Sequence, residues 1–181
     1  MPASRRHAGT PPLKLIPVRS IDWPGWVCSA ILAVAGFVAY SRTFSVPLLY
    51  DDIPAILNNP TIRHWDTVLS APGQTTAYGR PILNLSLALN QAISGTAVWS
   101  YHVLNLVIHI LAGLTLFGIV RRTLARRGDA AAQLIGFSVA LLWTLHPLQT
   151  EAVTYIVQRA ESLMGLFYLL TLYCFIRGIG A

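Results

Sequence analysis

Two carboxylates stand side by side at Tyr50-Asp51-Asp52, just past the first apolar run, in a 181-residue chain with seven acidic residues. Ionisable carboxylates beside a membrane are costly, so their chemistry is the first question. A carboxylate becomes a general base when burial or a neighbouring like charge raises its pKa, and an adjacent Asp supplies the second condition. On this reading the Asp51-Asp52 pair is a general base, a metal ligand, or both. A pair of acidic residues can also hold a divalent cation against phosphate oxygens, with Asp52 the metal-ligand candidate. The plain alternative is a solvated loop, or a helix cap at the start of Ile53 to Leu57.

A second set of reactive types is His146-Pro147-x-x-x-Glu151, followed by Gln158-Arg159-x-Glu161. His146 has the chemistry of a metal ligand or an acid/base group, and equally that of a cap where a helix stops. The Arg159 guanidinium matches the bidentate geometry of a phosphate near the membrane surface. Its alternative is an ion pair with Glu151 or Glu161. His102, Asn105 and His109 follow at i, i+3 and i+7, on one helix face. Hydrogen bonding between helices is expected of them, because two His about two turns apart do not close on zinc. No glycine-rich nucleotide loop, HExxH or CxxC occurs. Direct use of a cytosolic nucleotide is therefore not expected, and an outward-facing site would draw on a lipid-linked substrate.

The elements that must hold these residues follow from composition. Charged residues make up 11% of the chain and hydrophobic ones 54%, with a mean hydropathy of +0.55. A soluble domain carries about 25% charge, so the class is a membrane protein. The net charge of +6 could suit nucleic acid, but Lys and Arg sit in short clusters beside apolar runs, as topology signals do. Cys28 and Cys174 both fall inside apolar runs and read as packing residues.

Residues 1–22 are rich in Pro and basic side chains and read as a disordered cytoplasmic tail. Residues 23–41 form a first spanning helix, with Trp23, Trp26 and Tyr40 as interfacial anchors. With further spans following and no small-residue cleavage motif, it reads as an uncleaved helix and not a signal peptide. Residues 42–97 are an external loop, too long for a simple connector. Within it Arg80-Pro81 opens a helix, which Asn84, Ser86, Asn90 and Gln91 make too polar to span, so it is expected to lie at the interface. Spans over 98–120, 132–146 and 162–177 complete the reading. A basic turn at 121–131 and an external segment at 147–161 separate them. The fold expected is all-α, with about four transmembrane helices and one interfacial helix.

Positive charge then orients the chain. Nine basic residues fall on one side (four in the tail, four at Arg121, Arg122, Arg126 and Arg127, and Arg177). Four fall on the other: Arg42, Arg63, Arg80 and Arg159. The positive-inside rule puts the nine, and the amino terminus, in the cytoplasm. Asp51, Asp52, Arg80, His146, Glu151, Arg159 and Glu161 then share the opposite face, periplasmic or lumenal. The Arg- and Ala-rich composition favours a bacterial inner membrane, with the endoplasmic reticulum as the eukaryotic counterpart.

In order, Tyr50-Asp51-Asp52, Asn58/Asn59-Pro60-x-Ile62, Trp65, Tyr78-x-Arg80-Pro81, Leu85-Ser86 with Asn90, Tyr101-His102-x-x-Asn105-Leu106-x-x-His109, and His146-Pro147-x-x-x-Glu151-Ala152-Val153 with Arg159-x-Glu161 recur. This series resembles the amino-terminal membrane portion of TMTC-type protein O-mannosyltransferases and their bacterial relatives, of the GT-C superfamily, over roughly residues 45 to 177. In many of that family tetratricopeptide repeats follow the membrane part. The resemblance implies a partial GT-C-type fold and a multi-pass, inverting glycosyltransferase. Its donor would be a polyprenyl- or dolichyl-phosphate sugar, mannose-like, and its acceptor a protein Ser or Thr. The acidic residue of the first external loop would be catalytic, which here is Asp51 with Asp52. Arg159 and Arg80 would meet the donor phosphate, with His146, Glu151 and Glu161 in support and a divalent cation as the candidate cofactor. GT-C enzymes carry more spanning helices than the four read here, so the stretch is expected to be part of a longer enzyme. The rival classes are a small transporter or channel subunit with the acidic pair at membrane depth, and a non-catalytic membrane scaffold.

Overall fold

Long apolar runs with no strand-like alternation fold as helices, and among the described residues every regular element is helical. The computed structural model describes residues 23–179, so the tail expected over 1–22 lies outside the described residues. The α-helices are α1 (Gly25–Tyr40), α2 (Pro81–Ser94), α3 (Trp99–Arg126), α4 (Ala132–Thr144), α5 (Thr150–Thr154) and α6 (Arg159–Gly178). Short turns at Ser41–Ser45, Ile53–Leu57, Pro60–Arg63, Pro147–Gln149 and Ile156–Gln158 link them.

Three stretches are long and apolar enough to cross a bilayer: Gly25–Ser45, Trp99–Arg126 and Ile156–Gly178. The chain is an integral membrane protein. α4 is apolar but has 13 residues, short of the roughly 20 that a span needs, so the fourth expected span is not complete as a helix. α3 has 28 residues, or about 42 Å at 1.5 Å per residue. It therefore extends past the apolar run, and Arg121, Arg122 and Arg126 lie on its last turns. The turn expected from residue 121 begins only at Arg127. α6 likewise begins at Arg159, so Arg159 and Glu161 belong to the helix and not to the segment before it.

α3 is the central post, with α1, α4 and α6 packed around it. Lipid tails are as apolar as Leu, so close approach through small residues draws such helices together. A Cβ on Gly136 would lie 3.1 Å from the Arg121 backbone nitrogen, and one on Gly113 would strike Thr144. Cys28, Leu32, Phe117 and Ala140 fill the α1–α3–α4 seam, while Ile108, Ala112 and Leu166 fill the α3–α6 seam. The outward face of α6 is apolar and open, with Phe167, Tyr168, Leu172 and Phe175 exposed. Cys174 lies on this open helix and not in packing as expected, whereas Cys28 is buried. Both thiols are free.

The helix directions create two ends. The starts of α1 and α4 and the ends of α3 and α6 share the basic end. The acidic end gathers the loop after α1, the helix α2, the start of α3 and residues 145–161. Its core is Ala55, Ile56, Ile62, Val68, Leu83, Leu87, Tyr101, Ile156 and Val157. α2 turns its polar residues inward, with Asn84 and Asn90 buried, and leaves Ile82, Leu85, Leu89 and Ile93 exposed as one apolar stripe. An apolar stripe outward and amides inward suit a helix lying in the interface.

Candidate active site

The Tyr50-Asp51-Asp52 turn is built by long-range hydrogen bonds. After α1 the chain runs through Ser41–Ser45 into extended Val46, whose carbonyl meets His102 Nε2 of α3 at 2.9 Å. Tyr50 then takes a φ of 39°, which among the described residues no other non-glycine residue matches in sign. A bulky side chain in the left-handed region is strained, by about 1–3 kcal/mol, and persists only where the surroundings over-determine it. Here they do. The Asp52 carboxylate accepts the Leu49 N–H at 3.0 Å and the Val157 N–H at 2.9 Å. The Asp51 N–H donates to Tyr155 Oη at 3.1 Å.

The two aspartates are therefore not equivalent. Asp52 is 1% exposed and Asp51 is exposed. Burial pushes the Asp52 carboxyl above its ordinary range, against the pull of its N–H donors and of His102. Burial also raises the Tyr155 phenol, and the nearby Asp51 and Asp52 charges add to that. An open cleft of about 440 Å³ adjoins the turn, lined by Leu49, Tyr50, Thr150, Glu151, Thr154 and Tyr155. Glu151 is exposed there and accepts Gln158 Nε2 at 3.3 Å.

Arg159 sits elsewhere in this network. It is fully buried. Its Nε donates to Asn105 Oδ1 at 2.7 Å, its Nη1 to Asn90 Oδ1 at 2.8 Å and to Ser86 Oγ at 3.1 Å, and its Nη2 to the Tyr101 carbonyl at 2.9 Å. Those partners come from α2 and α3, so the guanidinium pins both helices to the start of α6. With every nitrogen engaged inside the protein, it presents no fork to a phosphate and forms no pair with Glu151 or Glu161. Arg80 does face outward, 3.9 Å from Glu161, with both side chains about half exposed. The pair stands at an apolar groove of about 280 Å³ between α2 and α6, lined also by Ile82, Leu163, Met164 and Phe167.

His146 is exposed, and its Nδ1 accepts the Leu148 N–H at 3.3 Å, which makes it the cap of Pro147–Gln149. His109 and Tyr40 both donate to the Thr144 carbonyl, at 2.9 and 3.2 Å, closing the end of α4. A divalent cation does not fit these donors. Among the described residues no three His, Cys, Asp or Glu side chains come together, and both Asp52 oxygens already accept N–H groups.

The sequence of this stretch is matched by mouse (Mus musculus) protein O-mannosyl-transferase TMTC2, 34% identical over 164 residues that cover 83% of this chain and 19% of that protein. Mouse TMTC1 is 31% identical over the same share of the chain and 17% of its own length. The Caenorhabditis elegans protein O-mannosyl-transferase F38B6.6 is 29% identical over 78% of the chain and 22% of its length. The chain belongs with the TMTC-type protein O-mannosyl-transferases. It spans about a fifth of the length of the curated relatives it matches. No family model matches the chain, and no solved structure matches it.

In this TMTC-type stretch some positions carry more than their types announced. Asn59 and Asn84 are both fully buried and bonded to each other at 2.8 Å, and they also tie Thr61, Ala55 O and Val68 O. Asn105 donates to the carbonyls of Val153, Tyr155 and Ile156. The signal for them was an amide placed where a helix or loop should bury. Tyr155, which touches the Asp51 backbone, had no such signal.

Proposed function

We propose that this stretch forms part of a membrane glycosyltransferase that moves a mannose-like sugar from a polyprenyl- or dolichyl-phosphate donor to protein Ser or Thr. The side would be the periplasmic or lumenal one, opposite the basic end. In this reading Asp51 is the general base. The acceptor hydroxyl attacks the anomeric carbon, its proton passes to Asp51, and the bond from that carbon to the phosphate oxygen breaks with inversion. The lipid phosphate leaves with the electron pair and needs charge neutralisation more than a proton. Arg80 is the cation for that role, since it is exposed at an apolar groove suited to a prenyl chain, whereas Arg159 acts as a positioning residue. Asp52 holds the turn, and Glu151 and Tyr155 flank the cleft where an acceptor would lie.

The observation that carries this reading is the exposed Asp51 on a strained turn beside that cleft, with the homologous stretch of named O-mannosyl-transferases behind it. Positioned general bases contribute about a hundredfold or more. Asp51→Asn, in membranes containing the enzyme that carries this stretch, is expected to lose transfer from a lipid-linked mannose by that factor at normal expression. Undiminished transfer rejects Asp51 as the base.

A further inference from the structure

The basic end holds a second cleft, independent of the transfer reading. An open cleft of about 370 Å³ lies there between the end of α3 and the start of α4, lined by Arg121, Arg122, Ala125, Ala130, Ala132 and Gln133. α1 begins against it. A Cβ on Gly25 would strike Arg121 Nη1, and Gln133 Nε2 donates to the Trp23 carbonyl.

Three observations make the cleft an anion site. First, both cations are held in place by aromatic rings. The Arg121 guanidinium lies 5.3 Å from the Phe117 ring centroid, and that of Arg122 lies 5.4 Å from Tyr173. Arg122 Nε is buried, with no hydrogen-bond partner. Second, α1 and α4 both start here, and neither has a side-chain cap or an acidic residue in its first turn. Uncapped helix starts present N–H donors and a partial positive charge. Third, among the described residues one carboxylate borders the cleft in sequence: Asp129 accepts the Ala131 N–H at 2.8 Å, while Asp22, just before Trp23, lies outside the described residues. Among the described residues neither Arg121 nor Arg122 forms an ion pair.

We propose that this cleft binds the phosphate of an anionic phospholipid headgroup, gripped by Arg121 and Arg122 over the starts of α1 and α4. A lipid, as the phosphate's source, follows from the position. The cleft lies where three apolar helices end, and Trp23 and Trp26 stand exposed beside it, at 50% and 73%, as headgroup-level anchors do. Basic pockets between helices at a membrane surface suit such headgroups.

Native mass spectrometry of the detergent-solubilised protein, with phosphatidylglycerol or phosphatidylcholine added, tests this. Phosphatidylglycerol is expected to be retained in preference. The double variant Arg121→Gln/Arg122→Gln is expected to reduce that retention about tenfold or more. Ala130→Glu, at an exposed lining position, removes no packing and adds a second carboxylate beside Asp129, so it separates lost binding from lost folding and should give the same loss. Arg127→Gln, outside the lining, should leave retention unchanged. Equal retention of the two lipids, or full retention in Ala130→Glu, overturns the proposal. Displacement of the lipid by millimolar inorganic phosphate overturns the lipid assignment, and persistence of the adduct supports it.

Discussion

The two ends of the molecule solve opposite problems. At the basic end and through the bundle, regular helices satisfy their own backbone, and packing rests on Gly113, Gly136 and apolar side chains. At the acidic end, the chain passes through short turns, whose free N–H and C=O groups need partners inside the protein where lipid offers none. Buried polar side chains supply them. Asp52 serves Leu49 and Val157, Asn105 serves three carbonyls, His102 serves Val46, and Asn84 serves Val68. The lesson is that most of the reactive-looking types at the acidic end are fixed in backbone support. The groups left open to solvent there include Asp51, Glu151 and the Arg80–Glu161 pair.

Substitutions at the acidic end should therefore cost more than those in the bundle. Arg159→Leu leaves Asn90, Asn105 and the Tyr101 carbonyl without their donor. It is expected to lower stability by about 3–5 kcal/mol, read as thermal unfolding in detergent. A loss under about 1 kcal/mol would show that the cage closes without the guanidinium. Asp52→Ala strips acceptors from two N–H groups, and about 2–4 kcal/mol should follow. Gly136→Leu tests the bundle, where overpacking against the Arg121 backbone should cost about 1–3 kcal/mol. If it costs more than Arg159→Leu, the contrast between the ends is reversed. Asp51→Ala and Arg80→Gln touch exposed groups, so stability should move by no more than about 0.5–1 kcal/mol.

The contrast has a pH signature at Asp52. Its folded pKa lies above the unfolded one, so its contribution is fully present below the unfolded value and is lost as pH rises through the folded value. The stability of the natural protein relative to Asp52→Asn should thus fall as pH rises above about pH 4, the ordinary Asp value. A difference that grows with pH would mean that the Leu49 and Val157 N–H groups outweigh burial.

Much of the fold was legible in the sequence, because apolar run length and charge clusters are local properties. The helices around α1, α3 and α6 were read within a few residues, and the helix opening at Arg80-Pro81 is seen as α2. The boundary error at Arg159 has a physical cause: a helix continues past its apolar run when its polar residues find partners inside the protein, and the run length does not record those partners. The hydrogen bonding between helices expected of His102, Asn105 and His109 is seen for His109, to Thr144 of α4, and for Asn105, to Val153 of α5 and Arg159 of α6, whereas His102 bonds the loop at Val46.

By itself the sequence determined an all-α membrane chain, with its motifs in the order of the TMTC-type proteins. Only the tertiary structure decided which of two adjacent aspartates is buried, and which of two arginines faces outward. Those choices rest on Val157 reaching Asp52 across 105 positions and on Asn90 reaching Arg159 across 69. Burial is set by such distant partners, and neither neighbouring residues nor residue type encodes it.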